Sequence, residues 1–159
     1  VLEELPAWKP HIRSSIQTRV KPKWHFIDPS LATAALGVTP GGLLNDLNAM
    51  GLLFESLAVR DLRVYADVSD AKVFHYRDST GLEIDAIVER RCGDWIGVEV
   101  KLGGERAIEG AVANFGKLRT RLTEPKLSRL ASFCVITGGQ ASYTRPDGIH
   151  VLSLGHLRA

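Results

Sequence analysis

Asp85, Glu99 and Lys101 are the residues of this 159-residue chain whose types and spacing could do chemistry together. Asp85 lies in Gly81-Leu-Glu-Ile-Asp-Ala-Ile-Val-Glu89, and Glu99 and Lys101 lie in Trp95-Ile-Gly-Val-Glu-Val-Lys-Leu102. Both stretches read as strands, in which side chains alternate between two faces. Leu82, Ile84, Ala86 and Val88 are expected on one face, with Glu83, Asp85 and Glu89 on the other. Ile96, Val98, Val100 and Leu102 would oppose Glu99 and Lys101 in the same way. The short link Arg91-Cys92-Gly93 suits a hairpin loop with Gly in the left-handed position, which sets Asp85 across from Glu99. Two carboxylates facing each other repel. A divalent cation with hard oxygen ligands offsets that repulsion, and Lys101, about 6.6 Å along the strand from Glu99, adds a second positive charge. The plain alternative is a solvated sheet face of mixed charge.

The elements around the pair decide which acid-x-Lys matters, because the pattern also occurs as Asp70-Ala71-Lys72 and Glu124-Pro125-Lys126. The first of these opens a strand after a polar loop, and the second holds a Pro that a central strand rejects. Upstream, residues 42–62 carry Leu47, Met50, Phe54, Leu57, Ala58 and Leu62 at helical spacing. On that helix Glu55 either turns inward as a third carboxylate or faces solvent. Residues 71–77 form a first strand, and Asp78-Ser-Thr-Gly81 is a turn, giving a three-strand meander over 71–102. Gly103-Gly104 end it. Ile108, Ala111, Val112, Phe115, Leu118 and Leu122 then mark a helix over 107–122, followed by a strand at 131–137 and a last strand at 149–154. A helix between two strands implies a parallel crossover.

The ordered set Glu55, Asp85, Glu99-x-Lys101, followed by a crossover helix, resembles the PD-(D/E)XK nuclease-like superfamily. The expected fold class is therefore α/β with a restriction-endonuclease-like core and a small N-terminal hairpin or winged-type subdomain. More narrowly, Pro22-Lys23-Trp-His-Phe-Ile-Asp28-Pro-Ser-Leu-Ala together with Gly51-Leu-Leu-Phe-Glu55-Ser is similar to an uncharacterised domain of unknown function at the C-terminal end of bacterial and archaeal AAA-type ATPases. Where such sets usually carry Pro before the first acid, this chain has Ile84. The resemblance implies Mg²⁺ or Mn²⁺ held by Asp85, Glu99 and Glu55, with these three and Lys101 as the catalytic set acting on DNA phosphodiesters. It also implies that residues 1–40 are a linker or wing after an ATPase domain, and that 41–159 are the nuclease-like domain. A silent accessory domain that binds DNA or a protein for the ATPase is the rival expectation.

Residues 1–8 and 21–27 can pair across a basic loop holding His11, Arg13, Arg19 and Lys21, with Asp28 as an N-cap and Pro29 at the first helical position. Trp8 and Trp24, if exposed there, would suit an oligomerisation surface. The chain opens on Val and its one methionine is Met50, so a segment of a longer protein is expected. At 45% hydrophobic content it can build its own core. No apolar run approaches a membrane span. Cys92 and Cys134 fit a reduced cytoplasm, and neither they nor the histidines have zinc spacing. The net charge of +2 is uninformative, but from Leu102 on there are eight Lys or Arg against four Asp or Glu, whereas 61–101 has six against nine. A basic flank beside an acidic site suits phosphate binding, and Lys117, Arg121 and Arg106 are the candidate DNA contacts. No phosphate-loop motif occurs, so no ATP site is expected in this segment.

Overall fold

The computed structural model describes residues 1–10 and 21–158. His11, Arg13 and Arg19 of the expected basic loop lie outside the described residues. Their flanks pair as expected: β1 (Leu2–Leu5) runs antiparallel to β2 (Lys23–Phe26). Asp28 then caps α1 (Pro29–Leu36), its carboxylate accepting from Ser30 N at 2.9 Å, and Gly37 closes the helix at φ 63°.

The single helix expected over 42–62 is two helices, α2 (Pro40–Asn45) and α3 (Leu47–Val68). Asp46 makes the break: its backbone leaves the helical region, and its side chain accepts from Ala49 N at 3.0 Å to cap α3. The buried stripe of α3 is also displaced toward the C-terminus, running through Ala58, Val59, Leu62 and Ala66, while Leu47 is exposed.

β3 (Ala71–Arg77), β4 (Glu83–Arg90) and β5 (Trp95–Lys101) form the antiparallel meander. Helix α4 (Glu105–Arg121) and the short α5 (Glu124–Leu127) lead to β6 (Leu130–Thr137), which pairs parallel to β5. β7 (Tyr143–Thr144), not anticipated from the sequence, pairs antiparallel with β8 (His150–Ser153), which lies parallel to β6. The result is a mixed six-stranded sheet in the order β3-β4-β5-β6-β8-β7 beside the two-stranded β1-β2 sheet. No helix among the described residues is long and apolar enough to cross a membrane.

Helices lie on both faces of the large sheet, so each face buries its own core. On the α4 face Ile108, Ala111, Phe115 and Leu118 pack against Ile84, Ile87, Trp95 and Phe133. On the α3 face Val59, Leu62 and Ala66 pack against Val73, Ala86, Val98, Val100 and Ile136. Gly97 is required by this packing, since a Cβ there would lie 2.7 Å from the Phe133 ring. The hairpin contributes to both cores, sending Leu5 to the α3 face and the chain after it sending Trp8 to the α4 face. Trp8 is therefore not the exposed residue that an oligomerisation surface would need. It is buried, and its Nε1 donates to Glu89 Oε2 at 2.9 Å; Trp24 is the exposed one.

Candidate functional site

The strict alternation read from the sequence fails at one place, and that place is Asp85. β3 and β4 pair as Val73↔Val88 and Phe74↔Ile87, then resume as Tyr76↔Ile84. His75 thus faces both Asp85 and Ala86, a bulge of one extra residue on β4. The slip changes the phase of the strand. Leu82 and Ile84 go with Ile87 into the α4 core, while Ala86 and Val88 go to the α3 face, so the four do not share one side.

β4 and β5 pair from Glu89↔Trp95 to Ala86↔Val98, and their ladder stops there. One step further the same register sets Asp85 against Glu99. Asp85 fills the opening with its side chain: Oδ2 accepts from Val100 N at 2.8 Å and from Lys101 Nζ at 3.2 Å. Lys101 Nζ also donates to Glu99 Oε2 at 2.5 Å, and Asn114 Nδ2 on α4 donates to Glu99 Oε1 at 3.0 Å. One ammonium thus bridges both carboxylates.

Glu55 reaches the same region from α3, its side chain turned inward and 13% exposed. Its Oε1 accepts from Lys23 Nζ at 2.6 Å, and the same ammonium donates to Glu83 Oε1 at 3.1 Å. Below it, His25 is buried with Nδ1 3.3 Å from Ser56 Oγ and Nε2 3.9 Å from Glu55 Oε1. Sequence reasoning missed Lys23, His25, Glu83 as a partner, and Asn114. Only the two-residue spacing of Lys23 and His25 on β2, which gives them a common face, offered a signal.

The charges explain the titration behaviour. Burial, and then the Asp85 carboxylate, push Glu99 and Glu55 above the ordinary carboxylate range, against the pull of Lys101 on one and Lys23 on the other. Burial lowers the two lysines, but the acids around them outweigh it and hold both above the usual lysine value. Burial, aided by Lys23 and Arg63, depresses His25 to about 4, which keeps its imidazole neutral at pH 7.

The donor set of Glu55, Asp85 and Glu99 is, by its oxygen chemistry, suited to a hard divalent ion. Geometrically the side chains stand closed around Lys101 and Lys23. Among the described residues, no three His, Cys, Asp or Glu side chains are disposed to hold a metal ion. These carboxylates would hold a divalent ion only once Lys101 and Lys23 have left them.

Of the candidate DNA contacts, Lys117 and Arg106 are exposed on α4. Arg121 instead pairs with Asp78, which is fully buried and also accepts from Tyr76 Oη at 3.0 Å and Thr80 N at 2.9 Å. A groove of about 390 Å³ connects the two regions, lined by Thr80, Leu82, Glu83, Asn114, Lys117 and Arg121.

These features define a mixed α/β domain with a carboxylate and lysine cluster where two central strands part. The profile of the family described as a domain of unknown function, DUF4143, matches residues 50–157, and the chain belongs to that family. No curated protein matches the chain, and no solved structure does.

Proposed function

We propose that this chain is a nuclease-like domain of the PD-(D/E)XK type, with a restriction-endonuclease-like core, that hydrolyses or binds DNA phosphodiesters with a divalent ion. The observation that carries the reading is Lys101 Nζ bridging Asp85 and Glu99 at the point where β4 and β5 diverge. Asp85 and Glu99, with Glu55 from α3, would hold Mg²⁺ or Mn²⁺. The ion would supply a lowered pKa for a bound water and charge to offset that growing on phosphate. Glu99 is kept in place by Asn114, and Lys101 carries a positive charge that can turn toward an anionic phosphate once the acids are otherwise neutralised. The groove from Glu83 and Asn114 to Lys117 offers the phosphate backbone a path away from the acids. Residues 1–40 would be the link to an AAA-type ATPase domain of the same chain, and 41–159 the nuclease-like domain, working in the cytoplasm. Cleavage of plasmid and linear DNA in Mg²⁺ or Mn²⁺ tests the reading. Lys101→Ala should keep metal binding and lose most cleavage, whereas Asp85→Asn should lose both. Cleavage undiminished in both variants would refute it.

A second reading is favoured by one observation: the described residues hold no ready cage of three metal-binding side chains, and the acids are already paired with lysines. A catalytically silent domain, binding DNA or a protein partner for the ATPase, would keep such a cluster as part of its core. Saturable Mn²⁺ binding that Asp85→Asn abolishes speaks against that second reading.

A further inference from the structure

Lys101 belongs to the strand that carries Glu99, so its place beside the acids is fixed by the strand itself. Lys23 does not share that constraint. It comes from β2, a strand of four residues in a separate two-stranded sheet, and it reaches across to Glu55 Oε1 at 2.6 Å and Glu83 Oε1 at 3.1 Å. Its side chain is 27% exposed, against 13% for Glu55, so the ammonium has a route to solvent that the carboxylate lacks.

Beneath this ion pair lies a second and independent sign of a ligand position. His25 Nε2 is buried, its ring only 5% exposed, and it has no hydrogen-bond partner among the described residues. That nitrogen faces Glu55 Oε1 at 3.9 Å, too far for a hydrogen bond. With the proton on Nδ1, Nε2 is an acceptor that a carboxylate cannot satisfy; with the proton on Nε2, Glu55 Oε1 stands beyond its hydrogen-bond reach. Buried polar nitrogens are ordinarily satisfied, so this nitrogen calls for a partner, a water or a ligand atom, beyond those of the described residues.

We propose that Lys23 is a built-in counter-cation of the acidic site, competing with a divalent ion for Glu55, so that ion binding breaks the Lys23 tie between the N-terminal hairpin and α3. The inference rests on the reading that these carboxylates take a divalent ion. The physical reason is electrostatic. An ammonium and a divalent ion beside one partly buried carboxylate repel each other strongly at the effective dielectric of a protein surface. The ion gains Glu55 only as Lys23 leaves it. The Lys23 stem is long and flexible, whereas Glu55 is fixed in the middle of α3, so the lysine is the partner that moves. The hairpin's other ties, His25 to Ser56 at 3.3 Å and the His75 Nε2 donation to Lys21 O at 3.0 Å, would keep it attached while its Lys23 arm swings out.

Mn²⁺ titration by calorimetry on the chain, Lys23→Met and Lys23→Arg tests this. Lys23→Met should bind Mn²⁺ about tenfold tighter than the parent, or bind where the parent does not, while Lys23→Arg stays within about threefold of the parent. A folded Lys23→Met protein with unchanged or weaker affinity, beside a parent that binds, overturns the competition and leaves the metal reading standing. No binding by either protein overturns both. A second measurement covers a Lys23→Met protein that does not fold. In the parent with ¹³C-dimethylated lysines, the resonance missing from Lys23→Arg should move as Mg²⁺ is added, and a stationary Lys23 resonance at saturating Mg²⁺ overturns the proposal.

Discussion

Replacing Asp85 by Asn and by Ala separates two tasks of one carboxylate. Oδ2 accepts from Val100 N at 2.8 Å, in place of the ladder bond that β4 and β5 do not make there, and it shares Lys101 at 3.2 Å with Glu99. Its charge also pushes Glu55 and Glu99 upward. Asn keeps an acceptor for Val100 N and removes the charge, so lost attraction to Lys101 and relieved repulsion of two glutamates oppose each other. The two are of similar size, and the net change should lie within about 1 kcal/mol. Ala strands the Val100 N–H as well, which costs about 1–3 kcal/mol for a buried unpaired donor. At roughly 2–4 °C per kcal/mol for a domain of this size, Asp85→Ala should melt about 2–12 °C below Asp85→Asn. Added Mg²⁺ or Mn²⁺ at about a hundredfold over Kd should stabilise the parent by about 2.7 kcal/mol and leave both variants where they were. Circular dichroism melts with and without metal measure all of this. Equal melting temperatures for Asn and Ala would refute the Val100 argument, and a parent insensitive to millimolar metal would refute the metal argument.

Three further outcomes test the frame that holds the site. Gly97→Ala puts a Cβ 2.7–2.8 Å from the Phe133 ring, which stacks on Phe115 at 4.3 Å. It should cost about 1–3 kcal/mol in a denaturant melt, and Phe133→Leu should recover part of the loss. Asp78→Asn breaks the buried pair with Arg121 and should cost about 3 kcal/mol, the low end for such pairs because Arg121 is 17% exposed. Burial alone would raise Asp78, but bonds from Thr80, Arg121 and Tyr76 outweigh it and hold the carboxyl below its ordinary range. Its stabilisation is therefore present above the ordinary carboxylate value and lost as pH falls through the folded value, so acid melts should converge for parent and variant. Thiol labelling of the native protein should modify exposed Cys92 and spare Cys134, whose thiol burial pushes up to about 11; equal labelling rates would refute the buried placement.

How much of this was legible in the sequence follows from what local pattern encodes. The meander, its turns at Gly81 and Gly93, the Asp28-Pro29 helix start and the apolar stripe of α4 depend on neighbours within a few residues, and each was readable. So was the register that aims Asp85 at Glu99, because a short loop and two alternating strands fix it. The bulge at Asp85 and Ala86 was missed because it arises from how β3 and β4 pair; its one local trace is apolar Ile87, out of phase with Leu82 and Ile84 and flanked by apolar Ala86 and Val88. The break at Asp46 escaped because an acid within a helical run reads as surface until its side chain is seen capping Ala49. Periodicity says which face a residue takes, and it is silent on what lies opposite. Only docking of elements distant in sequence turned Trp8 inward onto Glu89, gave Arg121 to Asp78, and brought Lys23 and His25 from the hairpin to Glu55. Residue types and spacing determined the acids and the strands that carry them, whereas the tertiary structure decided which cations neutralise those acids, because an ion pair's partner is chosen by proximity in space.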